Sequence, residues 1–271
     1  MPTHTLPDGA TLRYEWNGIE QGIPLILLHS GWGQALFGWA RQHEFLATHG
    51  YPALAYDRRG YGQSSRVTHL PIDFHARAAE DLWGLIDGLG LRDVVLWGHS
   101  DGAVIATFAA LRHPARVRGL IFEGGHYYRA KPGSRPFFLR ARDEPLRFGA
   151  NAARILGEEH GSDYWATLIG LQAGAWLAFE SLGGDLYDGR LTTLTLPTLI
   201  LHGTNDEFTP VSEIETMAAT FPSAQLHLIP EGTHCPHHAP LFADFTNHLV
   251  LDFLRTLPNA THDHHPNPIR P

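Results

Sequence analysis

Cysteine is almost missing from this 271-residue chain, which has a single one, Cys235. One thiol excludes an intrachain disulfide and a four-thiolate metal centre. Long apolar runs are lacking too: no uncharged stretch approaches the roughly 20 residues that span a bilayer. Positive charge is short, with 20 Lys and Arg against 28 Asp and Glu and a formal net charge of -8. That balance opposes an unassisted grip on nucleic acid or on an anionic membrane. The pair Arg58-Arg59 is too brief to reverse it. Residues 1–9 have neither the basic region nor the apolar core of a secretory leader. The expectation is a cytoplasmic protein, monomer or homodimer, with no membrane or nucleic-acid partner and no metal or cofactor.

What is present suits a globular enzyme, with apolar residues at 43% and charged residues at 18%. The length allows one catalytic domain carrying an insertion, or two small domains. Histidine is abundant at 19 residues, and part of the excess sits in the Pro-rich stretch 258–271, read as a frayed tail. Its histidine spacing gives no closed metal site.

Residues 11–16 read as the second strand of a hairpin, with Asn17-Gly18 as a turn. Continuous apolar strands follow at 24–29, 52–57, 93–97 and 117–122. Between them, 74–89 repeats its apolar residues (Ala78, Leu82, Leu85, Ile86) at helical spacing. Short apolar strands alternating with helices predict a mostly parallel sheet covered on both faces. The alternation breaks over 126–190, where Trp165, Trp176 and Phe179 lie in helical fragments. It resumes with strands at 197–202 and 225–229, a helix at 211–219 and a last helix at about 239–257. The pattern is a core of residues 1–125 and 191–257 interrupted by a helical cap, 126–190.

Gly98-His99-Ser100-Asp101-Gly102 falls between a strand and the helix that begins near Ala103. A serine on such a turn, with small residues two positions either side, is a nucleophile-elbow pattern. Its hydroxyl needs a histidine base, and that base needs a carboxylate to set its tautomer. In an α/β sheet these partners belong beyond the carboxyl ends of later strands. Asp206 follows the 197–202 strand, with Glu207 as a rival carboxylate. His234 follows the 225–229 strand, with His237 and His238 as rivals that a surface role would explain. The order Ser100, Asp206, His234 is the one this architecture uses. An oxyanion hole needs two amide N–H groups: Asp101 is one, and Gly31 is favoured over Trp32 for the other.

These residues resemble the α/β-hydrolase superfamily to about residue 257. His29-Ser30-Gly31-Trp32-Gly33 is similar to its oxyanion loop, and residues 57–65 to its Asp-x-Arg-Gly-x-Gly-x-Ser loop. The chain departs from the family pattern at Ser30, where glycine is usual, and at Ala103, where a second glycine is common. The resemblance implies an α/β-hydrolase fold with an inserted helical lid, and acyl transfer without a cofactor. A narrower similarity, carried by Ser100-Asp101-Gly102, by residues 161–165 and by residues 197–206 beyond them, is to the biphenyl-hydrolase-like branch. There it implies that the acid after the nucleophile, Asp101 here, helps recognise an α-amino group.

The activity expected is hydrolysis of a small or medium-sized carboxylic ester, with Trp32, Asp101, Tyr164, Trp165 and Trp176 as substrate-binding candidates. Amidase or aminopeptidase action and C–C bond hydrolysis use the same triad. A serine at position 100 argues against epoxide hydrolase and dehalogenase chemistry, where the same fold offers aspartate. A non-catalytic small-molecule receptor is the alternative of a different class.

Overall fold

The computed structural model describes residues 2–33 and 38–258. An eight-stranded sheet runs in the order β1-β2-β4-β3-β5-β6-β7-β8. Its strands are β1 (Thr3–Thr5), β2 (Thr11–Trp16), β3 (Leu25–Leu28), β4 (Ala53–Tyr56), β5 (Val94–His99), β6 (Val117–Glu123), β7 (Thr198–Gly203) and β8 (Ala224–Ile229). The first two form an antiparallel hairpin, and β2 meets β4 antiparallel. All remaining pairings are parallel. The loops leaving these parallel strands therefore gather along one edge, where ligands bind in such sheets.

The unbroken apolar strands follow from covering both faces. Side chains alternate along a strand, so Val94 and Leu96 of β5 join one core, with Phe74, Leu82 and Ile86 of α2 (Phe74–Gly88) and Val104 of α3 (Asp101–Arg112). Val95 and Trp97 join the other, with Leu46 of α1 (Ala40–Thr48) and Phe253 of the last helix (Ala243–Thr256). The last helix starts four residues later than the sequence pattern suggests. The tail expected to fray lies, beyond Pro258, outside the described residues. No helix among the described residues is long and apolar enough to cross a membrane.

Between β6 and β7 the chain inserts α4 (Arg135–Asp143), α5 (Ala150–His160) and α6 (Trp165–Phe179). Helix α6 is apolar around most of its circumference because it is packed on several sides, and Ile169, Ala173 and Trp176 join the same core as α3. Polar ties fasten the insertion to the loop after β4. Arg66 forks onto Asp163 at 2.7 and 2.8 Å. The Tyr164 hydroxyl donates to the Val67 carbonyl and accepts its N–H, each at 3.1 Å. His160 Nδ1 accepts the Gly62 N–H at 2.9 Å.

The elbow leaves no room for side chains at its glycines. A Cβ on Gly102 would overlap the Leu28 carbonyl, and one on Gly98 would overlap the Gly102 backbone. Backbone cannot swing aside as a side-chain end can. Gly102→Ala is therefore expected to destabilise the fold by about 3 kcal/mol, read as a lower denaturation midpoint at unchanged m-value. Ala103, where the family favours glycine, is accommodated from the other side. Gly125 faces it, and a Cβ there would come within 2.9 Å of the Ala103 methyl.

Candidate active site

Ser100 occupies the turn between β5 and α3 with φ 56° and ψ -123°, a conformation disfavoured for any residue with a Cβ. The surrounding backbone holds it there. Its N–H donates to the Glu123 carbonyl at 2.9 Å, and its carbonyl accepts the N–H groups of Ala103 and Val104. The hydroxyl is presented to His234 Nε2 at 3.0 Å. His234 Nδ1 donates to Asp206 Oδ2 at 2.8 Å.

The loops after β7 and β8 bring the acid and the base together. Asn205 N–H reaches the Gly232 carbonyl at 2.8 Å, and Gly203 lies so close to that loop that a Cβ would overlap it. Asp206 Oδ1 accepts the N–H groups of Phe208 and Thr209 at 2.8 and 3.0 Å, which leaves Oδ2 for His234. Burial pushes this carboxyl upward. Hydrogen bonding from His234, the charges of His234 and His202, and the Phe208 amide outweigh burial and hold its pKa below the usual value. His202, at the end of β7, lies with Nδ1 3.7 Å from the same oxygen. The rival Glu207 is exposed.

His237 is not the surface residue expected from sequence. It is 3% exposed and bonded through its backbone N–H and Nδ1 to Glu123 Oε1 at 2.9 and 2.8 Å. Glu123 Oε2 takes the Trp97 indole N–H at 2.9 Å. Burial opposes ionisation of Glu123, yet the charge and hydrogen bonds of His237 bring its pKa to about 2. A buried carboxylate at the end of β6 thus anchors the histidine loop three residues beyond His234. His99 supports the same loop, its Nε2 lying 2.9 Å from the His234 carbonyl. Burial and two neighbouring histidines lower its pKa to about 3. Cys235, beside His99, has its thiol pushed up by burial, which makes it a poor nucleophile.

Asp101 is the first residue of α3, where backbone N–H groups have no partner inside the helix. Its amide thus lies at a helix N-terminus beside the Ser100 hydroxyl. In the loop after β3, Gly31 has no space for a Cβ, because Gln172 and Asp101 fill it. Ser30, the departure from the family pattern, shapes this loop. Its Oγ accepts the Gly33 N–H at 3.1 Å, and its carbonyl accepts Arg58 Nη2 at 2.6 Å.

The Asp101 carboxylate is 1% exposed and fully engaged. His75 Nε2 and Trp176 Nε1 each bond Oδ1 at 3.0 Å, and Gln172 donates to Oδ2. Burial raises this carboxyl, but His75, Arg58 and Trp176 together hold it lowered. These contacts tie helices α2 and α6 to the nucleophile turn. His75 and Gln172 had no signal in the sequence, since both sit on ordinary helical stretches far from any motif.

Of the aromatic candidates, Trp165 packs inside the main core, and Tyr164 packs on Tyr61 and Leu168 with its hydroxyl spent on Val67. Trp176 is buried, facing His126 and Asp101. Only Trp32 is half-buried; it stacks on Phe137 at 4.9 Å and meets Phe148 edge-on at 4.8 Å. Phe208 continues this wall, 5.0 Å from Phe137 and 4.8 Å from the His234 ring. The position of Phe208 between Asp206 and Pro210 was a signal that sequence reasoning passed over. His126 also reaches the site. Its ring lies 5.9 Å from that of His234, and Nδ1 bonds Thr209 Oγ1 at 2.7 Å.

Fold and site together define an α/β-hydrolase with serine-hydrolase-type machinery for small organic substrates. The chain belongs to the alpha/beta hydrolase fold family, whose pattern matches residues 24–152 and 158–239. It is similar to serine hydrolase BPHL of Mus musculus, 32% identical over 250 residues, covering 92% of this chain and 84% of the relative. It is also 29% identical over 273 residues to a 2-hydroxy-6-oxononadienedioate/2-hydroxy-6-oxononatrienedioate hydrolase of Pseudomonas putida, covering 90% and 92% of the two chains. Among solved structures, a thermophilic esterase from Thermogutta terrifontis superposes with a TM-score of 0.74 at 24% identity, covering 94% and 98%.

Proposed function

We propose that this protein hydrolyses small to medium-sized, uncharged carboxylic esters through an acyl-enzyme on Ser100. The observation that carries the reading is the continuous relay from Ser100 Oγ through His234 to Asp206 at 3.0 and 2.8 Å. Ser100 Oγ attacks the ester carbonyl while its proton passes to His234 Nε2, and Asp206 stabilises the imidazolium. The Asp101 and Gly31 amides receive the developing oxyanion, each such donor being worth roughly 10²–10³ in rate. His234 then protonates the leaving alcohol and activates the water that cleaves the acyl-enzyme. The wall of Trp32, Phe137 and Phe208 supports an apolar or aromatic acyl or alcohol group.

The engaged Asp101 carboxylate favours neutral esters over α-aminoacyl esters. An incoming ammonium would have to displace Gln172 or Trp176 and bury its own charge, a step with a desolvation cost of several kcal/mol. In this reading Asp101 is an amide donor and a clamp on α6, and Tyr164 and Trp165 are packing residues.

A matched panel of p-nitrophenyl acetate, butyrate, octanoate, benzoate and α-aminoacyl esters tests both parts. Neutral esters should have the higher kcat/KM, and Asp101→Asn should lower neutral and aminoacyl turnover by similar factors. An aminoacyl preference lost selectively in Asp101→Asn would reverse the assignment of that carboxylate. Turnover confined to C–C bond substrates, with 2-hydroxy-6-oxononadienedioate, the compound in the name of the Pseudomonas putida relative, as the probe, would replace the ester reading.

A further inference from the structure

A cavity of about 560 Å³ opens between the β1–β2 hairpin, the loop after β4 and α2. Neither Ser100, Asp206 nor His234 lines it. Its walls carry three guanidinium groups and three carboxylates, and almost all of them are spoken for. Arg59 holds Asp81 and Asp8 at 2.8 and 2.6 Å. Arg77 pairs with Asp73, and Glu80 with Arg112. Arg58 is the exception. It is 2% exposed, yet among the described residues no carboxylate approaches it within 4.0 Å.

The hydrogen bonds of the Arg58 guanidinium go to neutral groups, and the Asp101 carboxylate acts on it only through space. Nη2 donates to the Ser30 carbonyl at 2.6 Å, and Nε lies 3.4 Å from His29 Nε2. Burial keeps His29 neutral, so it supplies no compensating charge. Nη1 has no hydrogen-bond partner among the described residues, and the cation lies 4.3 Å from the centre of the Tyr61 ring. Tyr61 lines the same cavity and is 2% exposed, and its hydroxyl meets no hydrogen-bond partner in good geometry, its one polar neighbour being Arg58 itself. A buried cation with no carboxylate in hydrogen-bond reach and a buried hydroxyl that is poorly bonded are each costly. Here both border one void, whose remaining lining includes Val67, Leu70, Phe74 and Ala78.

We infer that this cavity is a binding site for an organic monocarboxylate with an apolar body, its carboxylate on Arg58 and Tyr61 and its body against Phe74 and Ala78. A carboxylate would accept from the free Nη1 and from the Tyr61 hydroxyl, and would place a negative charge in direct contact with the cation. The acyl chain or ring would cover the apolar wall. The site is separate from the Ser100 machinery and does not depend on the reaction assigned there.

Titration of the intact protein with sodium benzoate, followed by calorimetry or ligand-observed NMR, tests the inference, with benzamide as the uncharged twin. Benzoate should bind at one site per chain and benzamide about tenfold or more weakly, the factor expected for a buried charge-assisted hydrogen bond. Arg58→Gln should weaken benzoate by a similar factor. Because Arg58 also braces Ser30, Ala78→Trp provides an independent block: it fills the void from α2 and should abolish binding while circular dichroism and Tm report an intact fold. Equal affinity for benzoate and benzamide, benzoate binding that survives Ala78→Trp, or no saturable binding of benzoate would each overturn the site.

Discussion

Ser100→Ala is expected to lower kcat for p-nitrophenyl butyrate by at least about 10⁴-fold, with only background hydrolysis remaining. The oxyanion amides belong to the backbone and survive the substitution, so binding should persist and KM should change little. The stability measurement separates loss of chemistry from loss of fold. Ser100 sits at φ 56° with a Cβ, and alanine keeps that Cβ, so the denaturation midpoint should stay near wild type. Ser100→Gly removes the Cβ and relieves strain of roughly 1 kcal/mol or more. It should be equally inactive and more stable. Ester turnover retained in Ser100→Ala would sink the proposed nucleophile, and retained ligand binding with no turnover in the wild type would favour a receptor.

Asp206→Asn should be nearly as damaging, by about 10³- to 10⁴-fold in kcat, through the tautomer of His234. The backbone decides the outcome. Phe208 and Thr209 both donate N–H groups to Oδ1, so an asparagine places its carbonyl oxygen there and turns its NH2 toward His234. The imidazole must then accept at Nδ1 and carry its proton on Nε2, which faces the Ser100 hydroxyl as a donor and cannot take a proton from it. A structure of the variant would keep the His234 ring in place, and imidazole nitrogen NMR would report the switched tautomer. A loss below about tenfold, or a displaced ring, would contradict this account.

Much of this protein is legible before folding. The strands of the parallel sheet could be read from their apolar runs because burial on both faces demands uninterrupted apolar sequence. The glycines at 98 and 102 could be read as elbow residues because a turn that sharp excludes side chains, and the structure shows Leu28 and Gly102 backbone atoms in the places a Cβ would need. The strand order also made Asp206 and His234 the natural partners of Ser100. Each rests on local rules, in which a residue's neighbours along the chain determine what it does.

Other features depend on residues distant in sequence. His237 looks like a surface histidine until β6 places Glu123 beneath it. Asp101 looks like an open carboxylate after a nucleophile until α2 and α6 deliver His75, Trp176 and Gln172 to its oxygens. Tyr164 and Trp165 look like lid aromatics facing a substrate, and instead pack the cap and pin it to Val67. The aromatic wall of Trp32, Phe137 and Phe208 is assembled from a core loop, the cap and the acid loop. Sequence by itself determined the fold class and singled out Ser100, Asp206 and His234 as the proposed triad, because strand periodicity and tight turns are encoded within a few residues. Which charges are already neutralised, and which surfaces remain to meet a substrate, was decided only by tertiary structure, because burial and pairing join segments far apart in the chain, 114 positions in the case of Glu123 and His237.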